Sequence, residues 1–187
     1  MNWMESLGPL LQQYTSSQSA HPPANVEDHF DQVAQAAPAS EVAEGLAAAF
    51  RSGQTPPFAQ MAAQLFGNSG GQQQAGVLNA LLGAVGPAVL SQIGAGKGGS
   101  ILGSLLGGGN SSAPGSGVGG DANVTAEQAS QVSPEMVKQL AEHAEKTDPS
   151  IVDRLSQIYS GHPDLIKTLG GAALTIALAK VAQRQRG

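Results

Sequence analysis

Apolar residues along this chain recur at intervals of three and four, and no stretch alternates apolar with polar as a half-buried strand would. Val42, Leu46, Ala49 and Phe50 form one such stripe, and Phe58, Met61, Ala62, Leu65 and Phe66 form the next. Met136, Val137, Leu140 and Ala144 follow, then Ile151, Val152, Leu155, Ile158 and Tyr159, then Leu165, Ile166, Leu169, Ala173, Leu174 and Leu178. Trp3, Leu7, Leu10, Leu11 and Tyr14 open the chain as an amphipathic helix with a bend expected at Gly8-Pro9. The pattern predicts an all-α protein, an array of short amphipathic helices joined by tight turns.

Polar punctuation between the stripes supports that reading. Asn25, Ser40 and Thr55 stand where N-cap oxygens could accept from a free first turn, and Pro56 suits a first helical position. Ser133-Pro134, Asp148-Pro149 and His162-Pro163 repeat the device, and Thr125 with Gln128 fits a capping box. Gly53, Gly67 and Gly161 are expected as left-handed C-terminal caps. The stretches 34–53 and 142–161 both pass through a Pro-containing turn into a helix closing on Ser-Gly. A duplicated helical pair and shared capping chemistry both account for that likeness, and we favour the second.

Residues 107–123 (GGGNSSAPGSGVGGDAN) have almost nothing to bury and read as a flexible Gly/Ser-rich linker. The expected organisation is an N-terminal helix over 1–18, a helical domain over 25–106, this linker, and a small helical domain over 124–187.

Charge changes the picture more than overall composition does. Of 187 residues, charged types make up 12% and aromatics 4%, so the core must be built from Ala, Leu and Val with few rings. Residues 1–51 hold six acids and one base, residues 52–120 hold Lys97 alone, and residues 121–187 hold eight acids and seven bases. Nucleic-acid binding through phosphates needs a basic face, which no segment offers. A helix-turn-helix reading of the C-terminal helices is therefore the weakest rival, and no nucleic-acid partner is expected. The start of the chain lacks the basic segment of a signal peptide, and no stretch has about twenty strongly apolar residues in a row. Cytoplasmic residence is the expectation, with export by a signal-less route left open. There is no cysteine, so disulfides and thiolate chemistry are excluded.

No candidate catalytic constellation survives inspection. Gly94-x-Gly96-x-x-Gly99 spells a dinucleotide fingerprint, but that turn must leave a strand and enter a helix. Gly98 stands after Lys97 where a P-loop needs Ser or Thr. His21, His29, His143 and His162 are never three or four residues apart, so no helix offers a His pair to a metal. No Gly-x-Ser-x-Gly elbow is present. We expect a non-enzyme without metal or cofactor.

What stands out is the uncharged run from Ser52 to Gly96 and the Gly99-x-x-x-Gly103-x-x-x-Gly107 spacing that follows it. Small residues at every fourth position let helices approach closely. The candidate interaction surface is Leu78, Leu81, Leu82, Val85, Val89, Leu90, Gly99, Gly103 and Gly107. Three readings stand: a buried core, a self-association surface, or a lipid-facing segment over 75–107. The favoured function is a protein-interaction or assembly module, with a second copy of the chain as a candidate partner. Peripheral membrane association is the alternative.

The run Val132 to Ala182 (VSPEMVKQLAEHAEKTDPSIVDRLSQIYSGHPDLIKTLGGAALTIALAKVA) resembles the C-terminal part of a group of uncharacterised bacterial proteins. The whole chain resembles the YidB-like family of unknown function in its Gly/Leu-rich tracts, glycine linker and short terminal helical region. That resemblance implies a small all-α fold and assigns no activity and no functional residues.

Overall fold

Ten α-helices and no strand make up the described residues, 3–16, 23–85 and 123–184 of a computed structural model. In chain order they are α1 (Trp3–Ser16), α2 (Val26–Ala36), α3 (Ala39–Phe50), α4 (Phe58–Asn68) and α5 (Gly71–Ala84). After the undescribed stretch come α6 (Ala126–Ala129), α7 (Pro134–Thr147), α8 (Ile151–Ser160), α9 (Pro163–Lys167) and α10 (Gly171–Arg184). The fold is all-α, as the periodicity requires.

The apolar stripes mark the buried faces. Every named residue of the α3, α4 and α7 stripes is buried, and on α8 Ile151, Val152, Leu155 and Tyr159 are as well. Leu10, Ile158 and Leu165 sit at the margin, half-buried against the core. On the α8 face Leu155 and Tyr159 are fully buried, while Ile158 lies toward the edge.

Two of the expected N-caps, Thr125 and Ser133, bond as caps, and several of the others have been put to different use. Thr125 and Gln128 form the capping box, and Ser133 Oγ accepts from Met136 N at 3.4 Å with Pro134 in the first turn. Asp148 caps a turn rather than a helix: its Oδ1 accepts from Ser150 N at 3.0 Å and Ser150 Oγ at 2.6 Å. Helices α3 and α4 begin after Pro38 and Pro57, so Ser40 lies inside the first turn and Pro56 precedes the helix. Thr55 turns back and donates to Ala49 O at 2.6 Å and Ser52 O at 3.0 Å, closing the end of α3. Asn25 makes no cap bond and instead meets His29. Among the described residues Gly170 (φ 89°) alone takes the left-handed conformation expected of Gly53, Gly67 and Gly161. Gly67 lies within α4, and Gly161 has φ −81°. Gly170 ends the short α9 turn and lets α10 start at once.

The expected boundary between 25–106 and 124–187 is not a boundary in the core. Helix α3 packs against α10 on one side and α8 on another, while α4 lies along α7 and α5 touches α6, α7 and α8. The buried residues of both stretches form one cluster. The reason is in the stripes: a helix of three turns buries its apolar face only against another, and here the partners come from opposite halves of the sequence.

Two details fix that union. Gly45, in the middle of α3, allows α10 so close that an added Cβ would meet Ala177 O at 2.7 Å and Val181 Cγ2 at 3.1 Å. The two helices run antiparallel, since Arg184 at the end of α10 pairs with Glu41 (3.9 Å) and Glu44 in the first turns of α3. At the other end of α3, Arg51 forks onto Asp153 of α8 through two bonds of 2.9 and 2.7 Å.

Candidate interaction surface

The described part of the predicted surface is largely core. Leu78, Leu81 and Val85 are buried, and Leu82 alone of the four keeps partial exposure. Val89, Leu90, Gly99, Gly103 and Gly107 lie outside the described residues, as do all but the last residue of the expected linker and the Gly94–Gly99 stretch. Up to Val85 the uncharged run supplies α4 and α5 to the core, because Phe58, Met61, Leu65, Phe66, Val77, Leu78 and Leu81 all face inward.

The exit and return of the chain at this point are both fixed. Val85 is buried at the end of α5, and the chain is next described at Asn123. Asn79 of α5 holds the returning chain: its Oδ1 accepts from Val124 N at 2.7 Å and its Nδ2 donates to Val124 O at 3.3 Å. A carboxamide carries a donor and an acceptor side by side, so it can pair with the C=O and N–H of one residue at once. Nothing in the periodicity announces this role, since Asn79 simply occupies a polar position on an apolar helix.

The titratable groups are spread out. His29 joins Tyr14 Oη at 2.7 Å through Nδ1 and Asn25 Nδ2 at 2.9 Å through Nε2. His143 Nδ1 meets Gln139 O at 2.9 Å within its own helix. Lys167 bridges Asp31 of α2 (2.9 Å) and Asp164 (3.1 Å), and the hydrogen bond it donates to Asp31 is the chief cause of its raised pKa. Tyr159 Oη lies 3.4 Å from Ser69 Oγ, and burial pushes its pKa up to about 12. Among the described residues no three His, Asp or Glu side chains group as a metal site, and no helix is long and apolar enough to cross a membrane.

Compared with known proteins, the chain matches no protein-family model, no curated protein and no solved structure.

Proposed function

We propose that this chain is a non-enzymatic interaction or assembly module that associates with a second copy through the apolar residues following Val85. The observation that carries this reading is the uncharged, aliphatic and glycine-rich sequence that follows Val85. Up to Val85 the large aliphatics of the uncharged run are taken up by the core. Beyond it the sequence still offers Val89, Leu90, Ile93, Ile101, Leu102, Leu105 and Leu106 with Lys97 as the one charge among them. Asn79 and Val124 give the segment a fixed return point beside α5. Glycines at 99, 103 and 107 suit close apposition of two such segments. The resemblance to the YidB-like family agrees with a small helical protein and adds no activity.

Light scattering across a concentration series tests this directly. The wild-type chain should gain mass with concentration, and Leu90→Asp should keep it monomeric with an unchanged helical spectrum. A wild-type chain that stays monomeric throughout contradicts the proposal. The rival reading, association with a membrane surface, predicts instead that the wild-type chain co-sediments with liposomes and that Leu90→Asp does not.

A further inference from the structure

Helix α1 is seated on the body of the protein in the manner of a bound peptide. Its Leu7, Leu11 and Tyr14, spaced i, i+4, i+7, are almost fully buried, and the helix packs on α10 and, to a lesser extent, α2. This is the anchor spacing by which an amphipathic helix fills a groove. The helix has little to sustain it alone. It is 14 residues long with Pro9 inside it and Gly8 beside that. Isolated helices of about this length are marginal in water even without a proline, and an interior proline costs about 3 kcal/mol. Its helicity therefore comes from the groove.

The groove also reads a polar group. His29 on α2 is held from its own side, its Nε2 meeting Asn25 Nδ2 at 2.9 Å. That leaves Nδ1 aimed at the hydroxyl of Tyr14, 2.7 Å away, with the two rings nearly perpendicular at 5.8 Å. An amphipathic helix carrying Leu-x-x-x-Leu-x-x-Tyr satisfies both the apolar walls and this partner. The chain has two tyrosines, and the other, Tyr159, is enclosed in the core. Residues 3–16 are therefore the segment of this chain that fits.

The geometry points to the α10/α2 groove as a helix-docking site that accepts residues 3–16 of a second copy when its own α1 is displaced. This rests on the interaction-module reading but not on the segment beyond Val85. Nine residues, 17–25, join α1 to α2, and a connection of so few residues gives an effective concentration in the millimolar range. A free peptide at about 10 μM is thus outcompeted roughly 100-fold by the chain's own helix. Docking in trans becomes visible once that helix is weakened.

The test uses the full chain carrying Leu11→Glu and a fluorescent peptide of residues 1–16. Peptide anisotropy should report binding at least ten-fold tighter to the variant than to the wild-type chain. A peptide that itself carries Leu11→Glu should not bind, and one carrying Tyr14→Phe should bind several-fold more weakly. Equal and negligible binding to both chains overturns the proposal. Should Leu11→Glu cost the chain its helical spectrum, Leu11→Ala takes its place with the same readout. Loss of helicity there too overturns the proposal, because the groove would not exist without α1. Adding Leu90→Asp to the variant chain should leave peptide binding unchanged, so this result stands or falls separately from self-association through residues 89–107.

Discussion

Gly45 shows how much one residue can decide. Glycine within a helix is disfavoured by about 1 kcal/mol relative to alanine, so its presence in the middle of α3 needs a reason. The reason is the backbone of α10, whose Ala177 carbonyl stands 2.7 Å from where a Cβ would lie. Gly45→Ala should therefore destabilise the protein by about 1–3 kcal/mol despite the better helix propensity, read as a lower melting temperature. Gly53→Ala, with open space around it, should not lower it. The tyrosines give a second test at this scale. Burial raises the pKa of both, and that of Tyr159 reaches about 12. A folded-state pKa above the unfolded value means that the stabilisation is complete below about pH 10 and is lost as pH rises toward 12. Tyrosinate absorbance should thus appear only above pH 10, together with loss of helix. Tyr159→Phe should move that alkaline transition to higher pH. The sequence alone revealed neither role: Gly45 is one of 25 glycines, and a buried hydroxyl looks like any member of an apolar stripe.

At the scale of elements, hydrophobic periodicity was a sound guide because it records which face of a helix meets other helices, whatever their identity. Cap chemistry was less reliable, since a Ser, Thr or Asn beside a turn has several backbone groups within reach. Ser133 bonds to the first turn of α7, whereas Thr55 bonds backward to α3 and Ser40 lies one residue inside its helix. Ser133→Ala should accordingly cost about 1 kcal/mol, while Ser40→Ala should be close to neutral, both read from urea unfolding midpoints. Asn79→Ala should cost more than an ordinary surface substitution, because it releases both backbone groups of Val124 at once. No pattern of spacing could have paired residues 45 apart.

Over the whole molecule, a glycine-rich stretch in the sequence separates two regions that the structure joins. Composition marks where a chain has little to bury, but it says nothing of whether the stretches on either side bury against each other. Helices α3 and α10, α3 and α8, and α4 and α7 each pair one region with the other, and the forked Arg51–Asp153 contact crosses the same divide. Ion pairs this exposed contribute little individually, so the union rests on the shared apolar core. Stability should then be one property of the chain, lost in a single transition. The most direct test is to place a specific protease site within residues 107–120, cut it, and pass the product through a sizing column under native conditions. One shared core predicts that the two pieces co-elute at the position of the intact chain and melt together. Two separately eluting, independently helical fragments would contradict it.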